Sequence, residues 1–259
     1  MKKIYKYMGL MIVAAFSFYY TDKIALMVQS NNPIMQEINS VKESKEVDYV
    51  NAIIQEDKII PGKNGLTINV EKGFSMMKSF GVFNAYYLVY DQKRPEISLE
   101  DNKDKIIYSG NLKDKEISLI VEYNKNLITF LEENNIKANV LITKDNYMGV
   151  DNLEIINNDF NKYNEVELIL NRSDKNNNVC FLNESNLEFC KKRNKYLIDT
   201  ELVLANNNVF DIKNNLKNGS IILIKKDTNV ETLKILLQYV NFKGLNVIYL
   251  SDLISEENN

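Results

Sequence analysis

The sequence predicts an α/β fold in which a parallel sheet or barrel is covered by helices. The main observation is the alternation of short apolar runs and amphipathic segments from residue 112 onward. Strands separated by helices in this way are typical of parallel sheets. Two features precede this region, an apolar N-terminal segment and a stretch rich in turn residues. They predict a membrane helix and a small α+β unit.

The N-terminal segment, residues 1–22, combines clustered lysines with an uncharged stretch. Three lysines among the first six residues precede uncharged residues 7–20, a pattern typical of a signal peptide or a membrane anchor. The uncharged part is shorter than the ~20 residues of a full span, but flanking lysines can reach the headgroups. Bulky aromatic residues follow the A-x-A-like cleavage site at residues 15–17. We therefore favour an uncleaved, single-pass anchor in the cell membrane with the C-terminal domain extracytoplasmic; the alternative is cleavage and secretion.

Two short regions follow this segment. Residues 23–50 are polar with some helical periodicity, and they predict a stalk. Residues 51–110 predict a small unit in which "IIPGKNGLTINV" forms two strands around turns and "EKGFSMMKSFG" forms a helix closed by Gly81. A strand in "AYYLVYD" follows. Because this unit has no catalytic motif, its expected role is packing against the next domain.

Residues 111–259 form the predicted main domain, in which strands and helices alternate. The predicted strands cover residues 116–121, 137–142, 153–156, 165–170, 178–182, 195–204, 219–224 and 246–250. The predicted helices cover residues 125–135 and 185–193 and the segment "VETLKILLQYVNFKG", which Gly244 caps, and a last short helix begins at "SDLI".

Composition excludes several kinds of function. The chain contains no histidine, which excludes Ser-His and Cys-His nucleophile pairs, a histidine general base and any zinc site built on histidine. The formal net charge is −3 and no basic arm or patch is visible, so nucleic acid is not a predicted partner.

Cys180 and Cys190 lie ten residues apart, at the end of an apolar run and in the helical segment that follows it. A disulfide between strand and helix is one interpretation if the compartment is oxidising. Two buried, unpaired cysteines are the other. A metal site is less favoured, because no partner ligands occur at a recognisable spacing.

Three stretches resemble the polysaccharide deacetylases of the NodB-homology family. Residues 218–254 resemble the closing segment, which runs Gly-Ser-Ile-Ile-Leu-Leu-His, a helix, Lys-Gly-Tyr, a strand and Leu-Ser-Glu-Leu. Residues 117–143 resemble the strand that ends in Phe-Asp-Asp-Gly and the helix and strand after it, and residues 153–162 resemble Glu-Ile-Gly-Asn-His-Thr-Tyr-x-His. The resemblance covers residues 112–254. It implies a distorted, reduced (β/α) barrel of the polysaccharide deacetylase type, preceded by the small α+β unit and the membrane helix.

The resemblance also implies which positions carried the chemistry. In the family one Asp acts as the base, and a second Asp with two His holds a divalent metal that activates water. The catalytic Asp falls on Glu122 and the metal-binding Asp on Tyr123. The two histidines fall on Asn158 and Lys162, and the late histidine falls on Lys225.

These substitutions predict that the metal is lost. A phenol with a pKa near ~10 and an ammonium with a pKa near ~10.4 are poor ligands for a divalent cation. The Arg-x-Pro-x-Gly segment, which supports the base in the family, falls at residues 180–184 and keeps none of its residues. We therefore predict no metal, no cofactor and no confirmed catalytic residue. Glu122, Lys162 and Lys225 remain as candidate binding residues, with the lysines contacting an anionic glycan group.

The predicted function is that of a membrane-tethered, extracytoplasmic pseudo-deacetylase that binds cell-envelope glycan or an envelope protein. The alternative is a divergent carbohydrate deacetylase or hydrolase of carbon–nitrogen bonds with a site rebuilt around Glu122. A third hypothesis is a structural protein whose role lies in residues 51–110. Acidic residues near predicted strand ends that would serve the alternative enzyme are Asp145, Asp159, Glu184, Asp199 and Asp227.

Overall fold

A computed structural model describes Met8 and residues 11–21, 23–24, 31–146, 153–172 and 178–258. The strands are β1 Ile53–Gln55, β2 Lys58–Ile60, β3 Gly65–Ile68, β4 Tyr90–Lys93, β5 Ile106–Ile107, β6 Glu116–Glu122, β7 Asn139–Ile142, β8 Glu154–Asn157, β9 Val179–Phe181, β10 Tyr196–Ile198, β11 Leu202–Leu204, β12 Ile221–Ile224 and β13 Asn246–Ile248. The α-helices are α1 (residues 11–21), α2 Pro33–Lys45, α3 Val70–Met77, α4 Lys125–Glu133, α5 Tyr163–Arg172, α6 Leu187–Lys192, α7 Val209–Asn215, α8 Val230–Phe242 and α9 Leu250–Ile254.

The chain forms two compact units. The first comprises Met1–Asp48 and Gly65–Lys93, and the second comprises Tyr49–Asn64 and Arg94–Asn259. Residues 51–110, expected from the sequence to form one unit, are divided between them. The reason is that β1, β2 and β5 pair within a sheet of the second unit, whereas β3 and β4 form a separate antiparallel strand pair.

Helices α2 and α3 pack with this strand pair in the first unit. Asn32 caps α2 by accepting a hydrogen bond from the backbone N–H of Ile34 at 2.9 Å, and Asn69 caps α3 in the same way. The segment "AYYLVYD", predicted as a strand, begins as a 3-10 helix at Ala85–Tyr87 and joins a strand pair only at β4. A small apolar core holds the unit together, formed by Ile34, Ile38, Ile68, Phe74, Met77 and Leu88.

The N-terminal segment is described only in part. Residues 11–21 are helical, whereas residues 1–7, 9–10 and 22 of the predicted anchor lie outside the described residues. In the part of the chain that the structure describes, no helix combines the length and the apolar character needed to cross a bilayer.

The second unit contains a parallel sheet of six strands in the order β11-β12-β6-β7-β8, with β13 also paired to β6. Residues 117–121 of β6 and all four residues of β12 are buried. Continuous apolar runs of this kind are typical of parallel strands that are covered on both faces. Helices α4 and α8 supply part of the cover through Leu127, Leu131, Leu233 and Leu236.

A second sheet of five strands has the order β1-β2-β5-β10-β9, and only its β1–β2 pair is antiparallel. No strand of one sheet pairs with a strand of the other within the described residues. The predicted parallel α/β architecture is therefore confirmed, while closure into a barrel is not shown.

Two element predictions are wrong. The segment "EVELIL" at 165–170 lies in α5 and not in a strand, because Tyr163, Val166 and Leu170 form one buried helical stripe. The single strand predicted at 195–204 is two strands, β10 and β11, which belong to different sheets.

Candidate functional site

The carboxyl ends of β11, β12, β6, β7 and β8 lie along one edge of the six-stranded sheet, because all of these strands are parallel. Glu122 ends β6, and Lys225 follows β12 directly. Asn158 follows β8, and Tyr123 and Lys162 lie in the adjoining loops. We call this region the carboxyl edge. The topology thus brings all five family positions to one edge of the sheet.

Glu122 and Lys225 form an ion pair at this edge. Their strands are neighbours, with Ile224 of β12 paired to Val121 of β6. The Lys225 ammonium donates to Glu122 Oε1 at 2.8 Å, and the backbone N–H of Lys226 donates to Glu122 Oε2 at 3.0 Å. Both carboxylate oxygens are therefore engaged. The Glu122 side chain is only 26% exposed.

The backbone around this pair is fixed on both sides. Asn124 caps α4 by accepting from the backbone N–H groups of Asn126 and Leu127, and its Nδ2 donates to the Lys226 carbonyl at 2.6 Å. Thr228 Oγ1 donates to the Leu204 carbonyl at 3.0 Å. These bonds hold the loop after β12 and thereby position the Lys225 ammonium on Glu122.

Asp159 organises the loop after β8. Its Oδ1 accepts from the backbone N–H of Lys162, and its Oδ2 accepts from that of Lys144, both at 2.9 Å. Burial raises the pKa of Asp159, but the backbone N–H donors outweigh burial, so the pKa lies below its ordinary value. The carboxylate is therefore a structural anion that shapes the loop.

Lys162 belongs to a group of charges around this loop and not to the Glu122 pair. Its ammonium lies 3.5 Å from Asp145 Oδ1, and Lys144 pairs with Glu165 next to it. Both Lys162 and Asp145 are exposed, so this ion pair is weakly held. The edge thus carries two separate charge groups, and each of the three lysines is paired with a carboxylate.

Tyr123 and Asn158 occupy the two remaining positions. Tyr123 is half-buried and packs against the core between β6 and α4. Asn158 is also half-buried, and its backbone N–H donates to the Ile142 carbonyl at 2.8 Å. The phenol and the amide supply neutral hydrogen-bonding groups at the edge.

These residues do not fit a divalent metal. Within the described residues, no three His, Cys, Asp or Glu side chains are grouped so that they would hold an ion. Glu122 supplies the one carboxylate among the five family positions, and an ammonium already lies 2.8 Å from one of its oxygens. A phenol, an amide and two ammonium groups do not complete a coordination sphere.

The other acidic candidates have partners of their own or are exposed to solvent. Asp145 and Asp159 are engaged as described above, and Asp199 Oδ1 accepts the backbone N–H of Thr200 at 2.8 Å. Glu184 and Asp227 are exposed. Two pockets of about 310 and 360 Å³ lie towards the amino ends of the sheet, away from the carboxyl edge.

Cys180 and Cys190 are joined in a disulfide that links β9 to α6. Both cysteines are buried in a small apolar cluster with Leu197. The loop between the two elements is held by Asn186, which donates to the Phe181 carbonyl and accepts from the backbone N–H of Asn183. The position of the family's Arg-x-Pro-x-Gly segment is thus occupied by a disulfide and an asparagine-organised turn.

Comparison with known proteins supports the family resemblance at the level of the fold. No family model matches the chain. Over 116 residues the chain is 32% identical to the uncharacterized protein YlxY of Bacillus subtilis (strain 168), a match that covers 42% of this chain and 36% of that protein. The chain thus spans about a third of the length of this curated relative.

Two solved structures share the fold. One is wild-type BA3943, a CE4 family pseudoenzyme from Bacillus anthracis, with a TM-score of 0.60 and 18% identity over 87% of this chain and 96% of that chain. The other is a BA3943 mutant with restored enzymatic activity, with the same TM-score of 0.60 and 18% identity over 87% of this chain and 99% of that one. The chain therefore has the fold of the CE4, or NodB-type, polysaccharide deacetylases, and the predicted resemblance is confirmed.

Proposed function

We propose that this chain is a membrane-tethered, extracytoplasmic protein that has the deacetylase fold, lacks deacetylase activity and binds cell-envelope glycan. The observation that carries the proposal is the 2.8 Å ion pair between Lys225 and Glu122. In this pair an ammonium group contacts the carboxylate that the family resemblance assigns to the catalytic base.

The positive charge of Lys225 disfavours the binding of a divalent cation beside Glu122. Two like unit charges about 4 Å apart repel by about 4 kcal/mol at an effective dielectric constant of about 20, and a divalent ion doubles that cost. The repulsion from Lys225 is reinforced by the loss of ligands at Tyr123, Asn158 and Lys162. Without a bound cation there is no activated water of the kind that the family uses. The description of BA3943 as a pseudoenzyme supports the same conclusion for a chain with this fold.

The carboxyl edge has the chemistry of a surface that binds sugars by hydrogen bonds. Its two ion pairs cancel most of the charge, and Tyr123 and Asn158 add a phenol and an amide. Hydroxyl and acetamido groups are matched by such mixed donors and acceptors. Lys162 and Lys225 supply charge-assisted donors if the glycan carries an acidic group.

Cosedimentation with insoluble peptidoglycan tests the proposal. We expect the full chain to cosediment and the bound fraction to fall several-fold in the variant Lys162→Ala/Lys225→Ala. The variant loses two donors and leaves Glu122 and Asp145 uncompensated, so the edge becomes acidic. The matched control is Lys113→Ala/Lys191→Ala, which removes two exposed lysines elsewhere in the second unit and should bind like the parent.

Two results would contradict this proposal. If the parent chain stays in the supernatant, peptidoglycan is not its ligand. If both lysine variants bind equally well, the glycan contact is not at the carboxyl edge.

A further inference from the structure

The first unit exposes large apolar side chains on the loop between α3 and β4. Phe80 is 59% exposed, Val82 is 63% exposed and Tyr86 is 95% exposed. Met76, at the end of α3, is about half exposed. We call residues 76–86 the apolar tip. Single exposed apolar residues are ordinary, but four within residues 76–86 mark an interaction surface.

The apolar tip has a fixed conformation. The backbone N–H groups of Phe80 and Gly81 both donate to the Met77 carbonyl, at 2.9 and 3.2 Å. Gly81 reverses the chain with φ +71°, a conformation that suits glycine. The ring of Phe80 stacks on that of Tyr87 at 5.0 Å. The apolar side chains are therefore held out from the unit by an ordered loop.

The charge distribution around the tip indicates its partner. Residues 72–90 contain no Asp or Glu, and Lys78 carries the single charge in residues 73–90. Lys78 is exposed. Exposed aromatic side chains in a segment that contains lysine and no acidic residue are typical of surfaces that lie at the headgroup level of a bilayer. A lysine at this level is also attracted to anionic lipid.

The tip belongs to the same unit as the N-terminal segment. Ile34 and Met35, at the start of α2, belong to the same core cluster as Met77 and Tyr87. Helix α1 itself is apolar and exposed, with Met11, Ile12, Val13 and Phe16 each more than half exposed.

We propose that the apolar tip contacts the lipid bilayer and places Phe80, Val82 and Tyr86 at the headgroup level. The first unit is then held against the membrane at two points, the N-terminal segment and the tip. This contact rests on the membrane tether of the proposed function, but it does not depend on the proposed glycan binding, because no residue of the carboxyl edge takes part. Glycan binding is measured by cosedimentation and the lipid contact by fluorescence, so failure of one can be distinguished from failure of the other.

Tryptophan fluorescence tests this proposal, because the chain contains no tryptophan. The full chain carrying Phe80→Trp is reconstituted into vesicles that contain anionic lipid. We expect its emission maximum to shift to shorter wavelength and its intensity to fall when the acyl chains are brominated. The matched control is Phe242→Trp, because Phe242 lies in the second unit and is 84% exposed. Its emission should remain that of an indole in water.

The tryptophan signal distinguishes insertion of the tip from simple attachment to vesicles, because the N-terminal segment would attach both variants equally. Adding Val82→Asp to Phe80→Trp should restore emission at longer wavelength and reduce the quenching, because a carboxylate opposes insertion. An unshifted, unquenched Phe80→Trp signal would overturn the proposal and leave the tip as a protein-binding surface. Equal quenching in Phe242→Trp would also overturn it, since the lipid contact would then not be specific to the tip.

Discussion

Replacing Tyr123, Asn158 and Lys162 with Asp, His and His is expected to create a divalent-metal site at the carboxyl edge. Three protein ligands with one open position are typical of catalytic zinc sites. The fold already brings these positions to one edge of the parallel sheet. We expect zinc binding to change from undetectable to a Kd of about 1 μM or tighter, which corresponds to about 8 kcal/mol of binding free energy. Isothermal titration calorimetry measures this change.

The control variant has side chains of about the natural size at the same three positions but no metal ligands. Tyr123→Phe/Asn158→Gln/Lys162→Arg should bind no zinc. Adding Lys225→His to the metal-binding variant should tighten the site further, because it removes the ammonium beside Glu122. A metal-binding variant that folds, as judged by circular dichroism, but binds no zinc would show that the positions do not converge closely enough to coordinate.

Removing the disulfide with Cys180→Ala/Cys190→Ala is expected to lower the free energy of unfolding by about 2–3 kcal/mol, as loop-closure entropy predicts for a loop of about ten residues. Both cysteines are fully buried, so the loss of two sulfur atoms adds a small packing cost. Urea unfolding of the full chain measures the change. The control is the parent chain after reduction, which should lose a similar amount of stability.

A variant as stable as the oxidised parent would show that the two thiols are not joined in the folded protein. A measured loss of the expected size would also agree with an oxidising compartment, where disulfides of this kind persist. That compartment is the one predicted from the N-terminal segment.

The main domain was largely predictable from the sequence, because parallel strands covered on both faces appear as continuous apolar runs. Residues 116–121 and 219–224 are of this kind and correspond to β6 and β12. The segment 165–170 was not predictable in this way. Its β-branched and apolar residues are typical of a strand, whereas the buried residues of the helix have helical spacing only when Tyr163 is included. The division of 195–204 into two strands depends on pairing with two different sheets, which local sequence does not encode.

The candidate site was predictable only in part. The family resemblance gives the five positions and their altered residues. The Lys225–Glu122 pair follows from the strand order, in which β12 lies beside β6 although the two residues are 103 apart in the chain. The role of Asp159 also needs the structure, because its two oxygens accept from two separate loops. Its sequence position alone suggested a catalytic acid.

The proposed loss of the metal site is tested most directly by titrating the unmodified full chain with zinc, cobalt and manganese. The metal bound per chain is measured by equilibrium dialysis and elemental analysis. We expect no stoichiometric binding of any of the three ions, because Glu122 is neutralised by Lys225 and the other family positions carry no suitable ligand. One tightly bound ion per chain, released by substitution of Glu122, would contradict this conclusion and would favour an active enzyme.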